Sequence, residues 1–131
     1  MKTTAARTAL VAGAIAVGLA SSLAAPAHAG GNDVVKTGSC SGPSDWKLKA
    51  KPDNGRIEVE AEVDSNVVGQ TWHWRIKHDG NVSAKGAART TAPSGSFEVR
   101  RMVVNSAGSD HIGLRATNAA TGETCRGGLN L

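Results

Sequence analysis

The sequence predicts an all-β fold, an antiparallel sandwich of about seven short strands. Apolar and polar residues alternate along several segments, which is the pattern of a half-buried strand. Clusters of Gly, Pro, Asn and Ser separate these segments, and no segment after residue 38 has the periodicity of an amphipathic helix. Short alternating segments joined by turns favour two sheets packed face to face.

The first 29 residues have the three parts of a secretory signal peptide. Lys2 and Arg7 supply the positive start, residues 9–19 form a short apolar run, and residues 27–29 read Ala-His-Ala, a cleavage signal. The run is much shorter than the roughly 20 residues that span a bilayer, so we expect cleavage and no membrane span afterwards. Residues 30–37, small and polar, are predicted to be a flexible leader, and residues 38–131 to be one folded domain of a secreted protein.

The two cysteines, Cys40 and Cys125, are close to the two ends of the predicted mature chain. An even cysteine count in an exported chain predicts one disulfide. Because the bond would close a long loop, chain entropy alone would stabilise the fold by up to about 4 to 5 kcal/mol. A metal or redox pair is the alternative, but no CxxC spacing supports it.

Charge argues against a nucleic-acid-binding protein. The formal net charge of +4 includes Lys2 and Arg7, and without them 13 basic residues stand against 11 acidic ones, a net charge of +2. Such a balance on an exported domain does not fit a nucleic-acid partner. The chain has no phosphate-binding loop, HExxH or GxSxG motif, so we expect no cofactor, no catalytic residues and no enzyme activity.

Two hairpins follow from matching patterns. The segments WKLKA and RIEVEAEVD each alternate, and placing Lys51 opposite Arg56 sets Leu48 against Val59 on the apolar face. Lysines then face glutamates on the other side, so these glutamates are explained as exposed ion pairs. In the next hairpin Trp72, Trp74 and Ile76 share the apolar face of QTWHWRIKHDG, and a three-residue loop at 78–80 would set Trp74 opposite Ala84.

The last strands show the same alternation of apolar and polar residues. SFEVRRMVV changes phase at Arg100 and Arg101, which predicts a bulge. Residues 111–118 and the last strand place Ala116 against Cys125, with both side chains facing the core.

Two segments, TWHW and GSDHIGLRATNAATGE, resemble strands C and F of immunoglobulin-like and fibronectin-like domains. Over the whole mature domain, CSGPSDWKLKAKPDNGRIEVEAEVDSN, PSGSFEVRR and TGETC are similar to small secreted, single-disulfide proteins of high-GC Gram-positive bacteria. The resemblance implies an immunoglobulin/fibronectin-like antiparallel β-sandwich and no chemistry. Unlike antibody domains, the chain has no tyrosine and has its cysteines on the first and last strands, so the bridge is expected to join the chain's ends.

The histidines suggest one metal-site hypothesis. His73 and His111 are predicted to face outward on neighbouring strands, with Asp110 or Asp79 as a third ligand. His78 belongs to the turn, and alternation separates it from His73. Because no third ligand stands at a clear spacing, we predict exposed histidines and no metal.

One outer face is the candidate binding surface. Its predicted residues are basic or imidazole side chains: His73, Arg75, Lys77, His111 and Arg115, with Arg126 beside them. Such a face would suit an anionic cell-wall polymer, an acidic polysaccharide or an acidic extracellular protein. The alternative is an ordinary solvated face, since surface charge is common.

The sequence therefore predicts a monomeric, secreted, non-catalytic domain that acts as an extracellular binding or adhesion module. A second hypothesis is a small proteinaceous inhibitor of a secreted hydrolase, acting through an extended loop at residues 90–96. Salt-sensitive retention on an acidic polymer would support the first, and stoichiometric inhibition of a hydrolase would support the second.

Overall fold

The fold is an antiparallel β-sandwich, seen in a computed structural model that describes residues 33–131. Its eight strands are β1 (Val34–Ser39), β2 (Asp45–Asp53), β3 (Arg56–Asp64), β4 (Thr71–His78), β5 (Asn81–Arg89), β6 (Ser96–Val104), β7 (His111–Asn118) and β8 (Thr124–Asn130). One sheet has the order β1-β2-β3-β6 and the other β5-β4-β7-β8. The predicted all-β fold is confirmed, with one strand more than expected, and residues 33–131 include no helix long and apolar enough to cross a membrane.

The core lies between the two sheets, where alternation turns every second side chain inward. The strands β3, β4 and β7 alternate between buried and more exposed residues over most of their length, and apart from Asn118 the buried ones are apolar. The fully covered apolar side chains are Leu48, Ala50, Ile57, Val59, Val63, Trp72, Ile76, Ile112, Ala116 and Cys125. The apolar parity predicted for these strands is therefore confirmed.

The predicted flexible leader is wrong from Val34 onward, because those residues form β1. Val34 pairs with Ala50 and Thr37 with Lys47, so β1 completes the hydrogen bonding of β2 on its free side. Near the end of β1, the ring of Trp46 packs directly against Gly38: a Cβ on Gly38 would lie 2.6 Å from Cζ2 of Trp46. Residues 30–32 and the predicted signal peptide lie outside the described residues.

Two-residue turns correct the registers of both predicted hairpins. Asn54 and Gly55, with φ of 49° and 78°, form the turn between β2 and β3, so Leu48 faces Ala61 and not Val59. An Asn-Gly pair adopts the two positive φ values that match the twist of a hairpin. Because the shift is two residues, each side chain keeps its predicted face.

The β4–β5 hairpin turns at Asp79 and Gly80, and its register shifts between Ile76 and Lys77. Trp74 therefore lies opposite Gly86 and not Ala84. A Cβ on Gly86 would lie 3.0 Å from Cζ2 of Trp74, so the large ring occupies the space that a side chain would need. Large residues do face small ones here, but with different partners from those predicted.

The predicted bulge at Arg100 and Arg101 is absent, since β6 pairs with β3 without interruption. Arg101 instead takes an inward position at the open side of the sandwich, where its Cζ lies 4.9 Å from the ring centroid of Trp74. A guanidinium can occupy such a position because it is attracted to the face of an indole ring. In the last hairpin, Ala116 pairs with Cys125 as predicted.

The predicted disulfide between Cys40 and Cys125 is present. Cys40 follows β1 and Cys125 lies in β8, so the bond joins the two chain ends and also ties one sheet to the other. Next to it, the Ser41 N–H donates to the Thr124 carbonyl at 2.8 Å. This link closes the side of the sandwich where β1 and β8 meet.

Candidate anion-binding face

The two sheets carry very different charge. The strands β1, β2, β3 and β6 contain seven Lys or Arg residues and seven Asp or Glu residues. The strands β4, β5, β7 and β8 contain six Lys or Arg residues and no Asp or Glu. These six cations are Arg75, Lys77, Lys85, Arg89, Arg115 and Arg126. The outer face of this second sheet, here called the cationic face, therefore has a single sign of charge.

Ion pairs form on the balanced sheet. Arg100 Nη2 lies 2.7 Å from Glu60 Oε1 and its Nε lies 3.6 Å from Glu58 Oε1, while Lys49 Nζ lies 3.8 Å from Asp33 Oδ2. Within residues 33–131, no carboxylate oxygen lies within 4.0 Å of a cation of the cationic face. These cations are therefore not paired with a carboxylate of the described chain, and they are available to bind an anion from outside the protein.

Four of these cations form a row across the sheet. Lys85 on β5 lies directly opposite Arg75 on β4, Arg75 lies opposite Arg115 on β7, and Arg115 lies opposite Arg126 on β8. All four are exposed. Since neighbouring strands are about 4.8 Å apart, this cation row extends over about 14 Å.

The cation row does not help the protein to fold. Like charges directly opposite each other on adjacent strands destabilise a sheet, most strongly at low salt. Here three such contacts follow one another, with no acidic residue on the four strands to compensate them. A bound anion would relieve this repulsion and so stabilise the folded protein.

The five predicted binding residues all lie at outward positions of β4 and β7, and so on the cationic face: His73, Arg75, Lys77, His111 and Arg115. His111 is the first residue of β7, four residues from Arg115, and its Nδ1 is 2.8 Å from Asn130 Oδ1. Sequence reasoning missed Lys85, although the predicted register, with Trp74 opposite Ala84, sets Lys85 opposite His73 and so on the same outward face. The two-residue turn at Asp79 and Gly80 places Lys85 opposite Arg75 only together with the register shift between Ile76 and Lys77, which no turn signal reveals.

His73 and His111 face outward on neighbouring strands as predicted, but the hypothesis that their imidazoles approach each other is wrong. His73 pairs with Thr117 and His111 with Asn130, so the two imidazoles lie at different ends of the sheet. His78, expected to stand apart in the turn, instead meets both candidate carboxylates.

His78 forms the tightest contact of this cluster. Its Nε2 lies 2.6 Å from Asp110 Oδ1 and 3.4 Å from Asp79 Oδ2, and since an ionised carboxylate only accepts, Nε2 donates. One ligand atom from each of these residues lies within 4.8 Å of the others, a spacing that could hold a cation. However, the Asp110 side chain is 3% exposed, and its Oδ1 also accepts the Ser106 N–H at 3.0 Å. These hydrogen bonds explain the cluster without a metal.

The cluster sets the ionisation of Asp110. The hydrogen bond from His78 lowers the pKa of its carboxyl below the ordinary value of 3.8; burial opposes this shift, and the Ser106 N–H adds to it. A lowered pKa in the folded state means that ionised Asp110 stabilises the fold above the pKa of the unfolded chain. That contribution is lost as the pH falls through the folded-state pKa.

We expect Asp110→Asn to lower the melting temperature at pH 7 and to bring the variant closer to the wild type as the pH falls below about 4. Thermal unfolding from pH 2 to 7 measures the difference. Asp79→Asn is the matched control, since it makes the same charge change at an exposed turn residue whose oxygen accepts the His111 N–H. A constant Asp110→Asn deficit across the pH range would contradict the assigned ionisation.

Hydroxyl–histidine pairs and carboxylates in clefts are the features that would suggest a hydrolase. The hydrogen bonds of residues 33–131 join no Ser or Thr hydroxyl to a histidine. A cleft of about 430 Å³ beside Trp46 includes Asp45 and Asp64, which are cross-strand neighbours. Asp64 accepts the Asn66 N–H at 3.0 Å and so belongs to the adjoining turn.

The predicted extended loop at residues 90–96 is a compact turn. Thr90 is buried, the Gly95 N–H donates to the Thr91 carbonyl at 2.9 Å, and the Ser65 N–H donates to the Gly95 carbonyl at 3.0 Å. A Cβ on Gly95 would overlap the Val67 backbone nitrogen, so the turn packs tightly on the β3–β4 connection. An inhibitor that presents an extended strand to an enzyme gains no support from this segment.

The protein is a β-sandwich with a single disulfide, and the charged side chains on the outer face of one of its sheets are all positive. Comparisons with protein-family models, with curated proteins and with solved structures find no match to the chain.

Proposed function

We propose that the protein is a secreted, non-catalytic immunoglobulin-like domain that binds an anionic extracellular polymer through its cationic face. The observation that carries the proposal is the absence of any carboxylate from β4, β5, β7 and β8, together with the alignment of four exposed cations on them. A surface of one sign attracts a polyanion and raises its rate of association.

The aromatic residues support recognition by charge. Trp72 and Trp74 point into the core and are 0% and 4% exposed, so neither offers a ring to a sugar or a base. The outward positions of the four strands carry no aromatic side chain except His73 and His111. A ligand that contacts this face therefore meets donors and positive charge, which suit phosphate or carboxylate groups.

The remaining features are consistent with a secreted immunoglobulin-like domain. The disulfide is a bond that oxidising compartments favour, and the N-terminal sequence has the pattern of a signal peptide. The orders β2-β3-β6 and β5-β4-β7-β8 match strands A-B-E and C′-C-F-G of a sandwich with Greek-key connections, with β1 added at one side.

The proposal is tested by co-sedimentation of the purified protein with bacterial cell-wall fragments. We expect Arg75→Gln/Lys77→Gln/Arg115→Gln to abolish sedimentation at about 0.1 M salt, because three cations of the face are lost.

The matched control is Lys36→Gln/Lys47→Gln/Lys51→Gln, which removes three charges from the other sheet and leaves the same net charge. The control should sediment like the wild type. Equal binding by both variants, or equal loss in both, would contradict the proposal, the latter because net charge alone would then explain binding.

A further inference from the structure

We infer that the ligand is a linear polyanion that lies across the strands along the cation row formed by Lys85, Arg75, Arg115 and Arg126. This inference rests on the proposed function and adds the ligand's form and direction. A suitable ligand carries at least about four phosphate or carboxylate groups at short intervals, so that several of them meet the row over its length of about 14 Å.

The direction in which the ligand lies follows from the spacing of the cations, which is closer across the strands than along them. Across the sheet, each of the four strands contributes one cation, at intervals of about 4.8 Å. Along a strand, outward side chains are about 6.6 Å apart, and only on β4 do two cations, Arg75 and Lys77, follow one another. On β7 the neighbours of Arg115 on the same face are Gly113 and Thr117, and on β8 those of Arg126 are Thr124 and Gly128. A polyanion thus meets the most positive charge when it crosses the strands.

Most positions beside the cation row carry small side chains or none, so a polymer can contact the sheet next to the row. On one side Gly113 pairs with Gly128, so two positions next to the row have no side chain. On the other side Thr117 pairs with Thr124, and both are small and uncharged. The bulky side chain of β7 and β8 next to the row is the His111 imidazole, whose Cε1 lies 3.2 Å from the position of a Cβ on Gly128, and no acidic residue of these strands stands there.

The ends of the row favour a polymer over a small anion. Lys85 lies on β5 and Arg126 on β8, and these are the two outermost strands of their sheet. A chain that follows the row can continue past either edge without meeting another strand of that sheet. Three of the four cations are arginines, whose planar guanidinium groups bind phosphate or carboxylate oxygens in pairs.

Two variants with the same charge change test the row. Lys85→Ala/Arg126→Ala removes the two ends of the row, while Lys77→Ala/Arg89→Ala removes one Lys and one Arg from the same sheet but outside the row. Affinities are measured for inorganic phosphate, tripolyphosphate, long-chain polyphosphate and poly-glutamate. The first three form a length series, and the last separates carboxylate from phosphate recognition.

We expect affinity to rise steeply from inorganic phosphate to the long chain, and the row variant to lose at least about tenfold in affinity for its preferred long polymer. The other variant should lose no more than about threefold. Equal losses in the two variants would overturn the row and leave the proposed function intact. Binding of inorganic phosphate as tight as that of the long chain would overturn the polymer geometry. Failure of the wild type to bind any polyanion would overturn both.

Discussion

Replacement of both cysteines, as Cys40→Ser/Cys125→Ser, is expected to lower the free energy of unfolding by about 2 to 5 kcal/mol. The bond closes a loop of 85 residues, so its loss releases nearly the whole described chain in the unfolded state. It also removes the covalent link between the sheets at the side where β1 meets β8. A domain of this size has only a modest core, so much of its stability would disappear.

Chemical denaturation of the wild type and the double variant, each with and without reductant, measures this effect. The reduced wild type should match the variant, and reductant should leave the variant unchanged. If the variant unfolds at the same denaturant concentration as the oxidised wild type, the disulfide does not stabilise the fold.

Trp72→Ala is expected to destabilise the protein by about 3 to 5 kcal/mol. The ring is 0% exposed, its centroid lies 6.3 Å from that of Phe97, and its Nε1 donates to Gln70 Oε1 at 3.2 Å. Alanine would leave a cavity between the sheets that the surrounding strands could not fill. Trp72→Phe should cost less, because it retains most of the ring volume and loses the hydrogen bond to Gln70.

The same variants separate a core tryptophan from a sugar-binding one. Under conditions where Trp72→Phe is folded, it should bind polyanions with the affinity of the wild type, since the ring lies on the opposite side of β4 from Arg75. A stable Trp72→Ala variant that has lost binding would contradict the assignment of Trp72 to the core.

The faces of the strands were predictable from the sequence, and their registers were not. Alternation depends on one period along one strand, so Trp72, Leu48 and Ile57 could each be assigned to the core. Register depends on the turn that joins two strands. If the loop has two residues and not three or more, every residue of one strand lies opposite a different residue of the other. The error at Asn54 and Gly55 was a shift of two residues, which changes the partners and preserves the faces.

The same distinction explains what could be predicted of the cationic face. Parity was enough to place Arg75, Lys77 and Arg115 on one surface. Recognition that Lys85, Arg75, Arg115 and Arg126 form one row needed the registers of three strand pairs at once.

Two features depend on tertiary contacts that no local pattern reveals. Val34 has no alternating neighbours, and it becomes part of a strand because β2 has an unpaired edge. Asp110 was considered only as a possible third metal ligand; it is buried, and His78 and the Ser106 N–H satisfy its carboxylate.

The most direct test of a polyanion-binding face is the salt dependence of binding. The affinity of the protein for long-chain polyphosphate is measured over a range of sodium chloride concentrations, for the wild type and for Arg75→Gln/Lys77→Gln/Arg115→Gln. The logarithm of the wild-type association constant should fall linearly with the logarithm of salt concentration. The variant's slope should be shallower by about 1.4, since it lacks two cations of the row, Arg75 and Arg115, and each phosphate contact contributes roughly 0.7 on a single-stranded polyanion. A wild-type affinity that is independent of salt, or equal slopes for the two proteins, would contradict the proposed function.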